Sequence, residues 1–362
     1  MIETDEAGVA ARYRCACLVL HAPEDLRVEA RAAEPPGPGQ VAVRVGMGGI
    51  CGSDLHYFRH GGFGTVRLRE PMILGHEVAG TVAALGEGVA DLQVGDRVAV
   101  NPSRPCGRCR YCLEGWPNQC LDMWYYGSAM RMPHSQGAFR DWLVCNAAQC
   151  HPVAPGIDLA EAALAEPFAV ALHAVGRAGS LLGRRVLVCG CGPIGALVVT
   201  AARLHGAAEI VATDVVDAPL AVARRLGADH THNPMHDDGW QARQARDKGS
   251  FDVAFECSGN ERALRTALDV LRPRGTLVQL GMGGDVALPQ TQVVAKELAV
   301  TGSFRFHAEF GLAVGLINQR RAHLSPLISA RFPMDQAAQA FALAGDRQRA
   351  MKVLIDFTTM AH

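Results

Sequence analysis

The sequence has no surplus of charge: 35 Lys and Arg stand against 36 Asp and Glu. Such a chain projects no basic field, so neither nucleic acid nor an anionic membrane is an expected partner. It also lacks an apolar leader. The opening stretch MIETDEAGVAARYR starts acidic and argues against an export signal. Long hydrophobic runs are missing too. The nearest is VLVCGCGPIGALVVTAA at 186–202, cut by three glycines and a proline, and it falls short of the roughly 20 apolar residues of a spanning helix. A buried strand, a turn and a helix fit it better. Internal repeats and low-complexity linkers are absent as well, which excludes solenoids and disordered tails. These absences together point to the cytoplasm, where thiols stay reduced.

What is present is ordinary globular material with unusual punctuation. At 362 residues, 49% of them hydrophobic, the chain is long for one core, and two domains are expected. Twelve cysteines are unevenly spread, with Cys106, Cys109, Cys112 and Cys120 crowded into PCGRCRYCLEGWPNQC. A disulfide framework, an iron–sulfur cluster, a zinc site and a plain loop compete for this stretch. A large reduced protein needs no staples. Two-residue gaps let successive thiolates turn to one centre, and four of them saturate Zn²⁺ without an open position, the mark of a structural site. Pro105, Gly107, Gly115 and Pro117 say loop.

Upstream, GGICGSDLHYF and MILGHEVAGTV place a soft thiolate at Cys51, an imidazole at His76 and a carboxylate at Glu77. Any one of them alone reads as packed core, but glycines at 75, 80 and 86 are more than packing requires. Further on, RRVLVCGCGPIGALVVTAARLHGAAEIVATDV reads as strand, turn, helix, strand and acid. Gly190, Gly192 and Gly195, with Pro193 and Ile194 between them, allow the tight turn, the approach of a pyrophosphate and close helix–strand packing. Asp214 follows about 20 residues on, the spacing of an acid for the adenosine ribose. It favours NAD over NADP, while Arg224 and Arg225 on the next helix soften the preference or decorate a solvated face. FDVAFECSG, ALRTALDVLRPRG and TLVQLGM continue the alternation of a parallel sheet.

GHEVAGTVAALGEGV resembles the signature of the zinc-containing medium-chain alcohol and polyol dehydrogenases, and the four-cysteine loop sits where that family carries a structural zinc lobe. The resemblance covers the chain after about residue 14. It implies an α/β fold: a GroES-like irregular β-barrel catalytic domain (1–165, with the zinc lobe at 101–125), a doubly wound Rossmann domain (166–303), and a return to the catalytic domain (304–362), where KVLIDF forms a strand. It implies two Zn²⁺ per subunit and NAD or NADP. Cys51, His76 and a carboxylate would hold the catalytic zinc. ALAEPFAVALHAV puts Glu166 where alcohol dehydrogenases proper have a cysteine, which is the polyol pattern and leaves open whether Glu77 or Glu166 ligates directly. Ser53 and His56 match the proton relay and Asp54 the partner of the ligand histidine; a turn or a helix cap is the plain alternative for Ser53 and Asp54. Leu280, Gly281 and Met282, with Ser303 and Arg305, match positions beside the nicotinamide. The loops GSAMRMPHSQGAF, GMGGD and GSFRF resemble the members that oxidise sugar acids. Arg305 and Arg131 are the candidates for a substrate carboxylate. The family also implies a homo-oligomer, dimer or tetramer. The alternatives are a sorbitol, xylitol or L-threonine dehydrogenase, or a non-catalytic NAD(H)-binding zinc protein.

Overall fold

The computed structural model describes residues 13–237 and 239–359; the N-terminal stretch read above for a leader lies almost wholly outside them. Along the chain, β1 (Gln40–Gly49) is followed by α1 (Gly52–His60), β2 (Glu77–Leu85), β3 (Arg97–Val100), β4 (Trp142–Asn146) and β5 (Cys150–Pro152). Helix α2 (Ala165–Arg177) then leads into β6 (Arg185–Cys189), α3 (Pro193–Leu204), β7 (Glu209–Thr213), α4 (Asp217–Arg225) and β8 (His230–His232). Strand β9 (Phe251–Glu256), α5 (Glu261–Val270), β10 (Leu271–Gln279), β11 (Ala299–Gly302), α6 (Glu309–Asn318), β12 (Ile328–Pro333) and β13 (Lys352–Asp356) complete the frame.

Two sheets organise it. Seven strands run β5-β3-β2-β1-β13-β12 with β4 on β1, so the last strands of the chain close the first lobe. Its pairs are antiparallel apart from β12 with β13. Six parallel strands run β8-β7-β6-β9-β10-β11, the doubly wound Rossmann order whose reversal beside β6 leaves a crevice at the strands' carboxyl ends. Strand β6 is buried on both faces, as its unbroken apolar run requires.

The stretch at 186–202 is thus strand β6, a turn and α3, and among the described residues no helix is long and apolar enough to cross a membrane. One boundary differs from the expectation. ALRTALDVLRPRG, read as a single element, is split: its helix ends at Val270, and LRPRG already lies within β10, which starts at Leu271 and shifts register beside Phe251 and Val253. The Lys296 ammonium explains the early stop of α5: it donates to the carbonyls of Leu268, Asp269 and Leu271 at 2.7–3.0 Å, satisfying helix-end acceptors.

The lobes are not separate cores. Met47, Ala79 and Ala99 of the first sheet share a buried cluster with α2, α3, α6 and one face of the parallel sheet. Helix α2 carries this junction. Pro167 is tolerated because it falls in the first turn, where backbone N–H groups have no helical partner. Glu166, also in that turn, faces the favourable end of the helix dipole.

Candidate active site

Helix α1 is built to hold Cys51 still. Cys51 is its N-cap, and Asp54 reaches back to accept the Cys51 N–H at 3.0 Å. The other Asp54 oxygen accepts the N–H of Gly75 at 3.2 Å, tying the helix to the segment that presents His76. Gly75 has φ +87° and a Cβ there would lie 2.1 Å from the Phe139 ring, so only glycine fits. His76 then enters β2, its ring 5.7 Å from that of Tyr125.

The ligand atoms of Cys51, His76 and Glu77 lie within 4.8 Å of one another. Zinc fits this set. His76 Nδ1 is buried without a hydrogen bond, 3.9 Å from Asp54 Oδ1. Burial by itself would depress the His76 imidazole, but Asp54 and Cys51 beside it raise it, a concentration of negative charge that suits a cation. Glu166 stands outside the cluster, with Oε1 accepting the hydroxyl of Tyr125. Burial, and then the Glu166 charge, push the Tyr125 phenol far up, so it remains a donor.

Three groups here escaped the sequence reading. Lys352, 3% exposed, donates to both Glu77 oxygens at 2.8 Å and to the Ile50 carbonyl at 3.1 Å. A lone lysine heading the apolar run VLI was the available signal. Tyr125 is the second, for which nothing in MWYYG stood out. Arg347 is the third, described below.

Ser53 and His56 lie on α1, one turn apart. Ser53 is half-buried and His56 exposed. Desolvation, with His60 and Arg59 beside it, holds the His56 imidazole below its ordinary value, ready to accept a proton and release it.

The four-cysteine lobe forms a short helix, Arg110–Leu113, and a 3₁₀ turn, Pro117–Gln119. Its sulfurs are unbonded, with Cys109 Sγ 3.6 Å from Cys112 Sγ and 4.0 Å from Cys120 Sγ. Tetrahedral zinc with Zn–S of about 2.3 Å gives a sulfur–sulfur edge of about 3.8 Å, so this set fits zinc too. Backbone N–H groups of Leu121 and Cys112 hold the Cys109 thiol down to about 6, near the thiolate a metal needs.

At the crevice of the parallel sheet, Gly190 has φ +85° and a Cβ on Gly195 would sit 1.8 Å from the Gly190 carbonyl oxygen. Gly192, by contrast, opens on space with nothing within 4 Å, at the N-cap of the twelve-residue α3. A pyrophosphate fits that opening, against Pro193, Ile194 and the free N–H groups of the helix end. Asp214 directly follows β7, and Arg224 is turned to Thr231 Oγ1 at 2.6 Å. The N–H groups of Leu280 and Gly281 both donate to the Glu256 carbonyl at 2.9 Å, while Met282 is exposed. Ser303 Oγ is buried without a partner.

The two arginines offered for a substrate carboxylate part company. Arg305 has φ +54°, and its guanidinium lies over Tyr125 at 4.3 Å from the ring centroid. Arg131 pairs with Asp122 at 3.2 Å in a cleft with Arg104, Trp124 and His134 that contains neither His76 nor Glu166. The observations favour Arg305 over Arg131 for a substrate carboxylate.

Comparison with known proteins agrees with this geometry. Residues 37–155 match the alcohol dehydrogenase GroES-like domain and residues 193–319 the zinc-binding dehydrogenase domain. L-idonate 5-dehydrogenase (NAD(P)(+)) of Escherichia coli is 44% identical over 318 residues, 87% of this chain and 91% of that protein. This chain belongs to the zinc-binding dehydrogenase family. The crystal structure of the Escherichia coli L-idonate 5-dehydrogenase superposes on this zinc-binding dehydrogenase with a TM-score of 0.91 at 41% identity, covering 96% of this chain and 99% of the other. Human sorbitol dehydrogenase is 34% identical over 339 residues, 92% of this chain and 94% of its own. As a zinc-binding dehydrogenase the chain is an enzyme that uses zinc and NAD(P).

Proposed function

We propose that this dehydrogenase oxidises the C5 hydroxyl of L-idonate to 5-keto-D-gluconate with NAD, and less readily NADP, and catalyses the reverse reduction. The observation that carries the substrate class is Arg305, a cation stacked on Tyr125, whose hydroxyl holds Glu166. A sugar acid brings a carboxylate that a neutral polyol lacks, and a guanidinium recognises it in two places at once. The E. coli relative named for L-idonate, similar over most of the chain, supports the same reading.

The geometry supports the following roles. Cys51, His76 and Glu77 hold the catalytic zinc, and Cys106, Cys109, Cys112 and Cys120 the structural one. Glu166, outside that ligand cluster and bonded to Tyr125, faces the substrate. When bound, the catalytic zinc supplies a Lewis acid for the hydroxyl and the dinucleotide a hydride acceptor. Ser53 Oγ takes the hydroxyl proton and His56 passes it outward to solvent. Gly190–Gly195 seat the pyrophosphate, Asp214 the adenosine ribose, and Leu280, Gly281, Met282 and Ser303 line the nicotinamide side. The division of the chain near residues 165 and 303, a cytoplasmic location and a homo-oligomer belong to the same reading.

Initial rates of NADH formation by the purified protein test it, with L-idonate, sorbitol, xylitol and L-threonine compared by kcat/KM alongside zinc counted per chain. L-idonate is expected to lead, with two zinc ions bound. Sorbitol or threonine ahead by a large factor would overturn the substrate. A single tightly held zinc with no turnover on any of the four would favour the non-catalytic alternative.

A further inference from the structure

Asp214 directly follows β7, where an adenosine ribose belongs, and its carboxylate is already engaged. Oδ2 accepts the Cys191 N–H of the glycine-rich turn at 2.8 Å and Oδ1 accepts the Val216 N–H at 3.0 Å. The side chain is 2% exposed, and Arg347 Nη2 meets its two oxygens at 3.2 and 3.4 Å. Arg347 itself is 59% exposed. A carboxylate can accept about four hydrogen bonds and a guanidinium donate five, so the arginine keeps unused donors on the solvent side of the acid.

Arg347 does not come from the Rossmann sheet. It stands 133 residues beyond Asp214, between the helix Ala337–Ala344 and β13, on the segment that closes the other lobe. Charges on the same turn and on the neighbouring elements have other partners: Asp346 accepts the Gln348 N–H at 3.0 Å and lies 4.0 Å from Arg349. Asp217 accepts Asn233 Nδ2 at 2.7 Å and lies 3.9 Å from His236, and Arg224 donates to Thr231. A bare Asp214 would repel the 2′-phosphate of NADP. With Arg347 on it the local charge is balanced.

We infer that Arg347 is the cofactor-specificity residue of this enzyme, a guanidinium from the catalytic lobe shared between Asp214 and the 2′-phosphate of NADP(H). With NAD(H), Asp214 takes the ribose hydroxyls and Arg347 has no phosphate to hold. The inference rests on the glycine-rich turn being the dinucleotide site.

Dissociation constants for NADH and NADPH, measured by fluorescence titration of the wild type, R347A and R347K, test it without turnover. R347A is expected to weaken NADPH by about tenfold or more, the scale of one lost charge-assisted hydrogen bond, and NADH by less than about threefold. R347K, which keeps the charge and loses the fork, is expected to fall between the wild type and R347A in the NADPH to NADH ratio. It carries the test if R347A does not fold. Equal losses for both dinucleotides would make Arg347 a pyrophosphate contact and overturn the inference. So would an unchanged ratio in both variants, or a wild type that binds NADH and not NADPH. A wild type that binds neither would overturn the dinucleotide site itself and this inference with it.

Discussion

At the scale of single residues, the site depends on a charge balance held away from water. Glu77 is fully buried, and burial pushes its carboxyl up to about 7, with Lys352 as the leading counterweight. Removing one member of such a pair leaves an uncompensated buried charge, a loss of about 3–5 kcal/mol, whereas replacing both by neutral groups is far milder. In the zinc-free protein, where Lys352 is the counter-ion that remains, Lys352→Met is therefore expected to lower the urea-unfolding free energy by that amount, and the Glu77→Gln/Lys352→Met double variant to recover a large part of it. Strict additivity of the two single changes would refute the coupling. Sequence inspection found Cys51, His76 and Glu77 because ligand residues sit close together beside glycines. It missed Lys352 and Tyr125 because their partners lie 275 and 41 residues away, with no periodicity linking them. A resemblance named Arg305 and Arg131 together; only packing separated the one over Tyr125 from the one paired with Asp122.

At the scale of elements, the turn before α3 contains two glycines with opposite needs. A methyl at Gly195 would meet the Gly190 carbonyl oxygen at 1.8 Å, while one at Gly192 meets nothing. Gly195→Ala is expected to depress the melting temperature. Gly192→Ala should melt with the wild type yet weaken NADH by about tenfold or more, because its methyl occupies the space the pyrophosphate needs. Normal NADH affinity in Gly192→Ala would refute that assignment. This turn was legible because its residues are consecutive and each strand beside it is a continuous apolar run. The start of β10 was not, since its cause is the Lys296 side chain from a later segment. A second element-level expectation concerns α2 and α6, joined by His173 Nδ1 and Glu309 Oε1 at 2.9 Å. Burial would raise the Glu309 carboxyl, but hydrogen bonds from His173 and the His307 N–H outweigh it and hold it at about 2, below its ordinary 4.5. The folded state then binds fewer protons than the unfolded one in that window, so the stabilisation is complete above about pH 4.5 and is lost as pH falls toward 2. Denaturant titrations at about pH 5 and about pH 3 should show a shallower loss for Glu309→Gln than for the wild type; equal slopes would count against it.

At the scale of the whole molecule, the four-cysteine lobe and the crevice are linked. Asn118 in the lobe donates to the Phe304 carbonyl at 3.0 Å, next to Arg305, and the chain leaves the lobe through Trp124 and Tyr125. Replacing Cys112 by serine is expected to expose residues 105–124 to limited proteolysis and to slow turnover, while the parallel sheet keeps its dinucleotide affinity. Turnover equal to the wild type from a chain cleaved within that lobe would refute the link. The pairing of Glu77 with Lys352 has a further consequence, this one in time. Translation delivers the acid first and its counter-ion 275 residues later. Until Lys352 leaves the ribosome, the nascent first lobe must keep that carboxyl solvated or protonated, so assembly of the zinc centre belongs after that strand is made, and chains cut short before Lys352 should be targets for quality control.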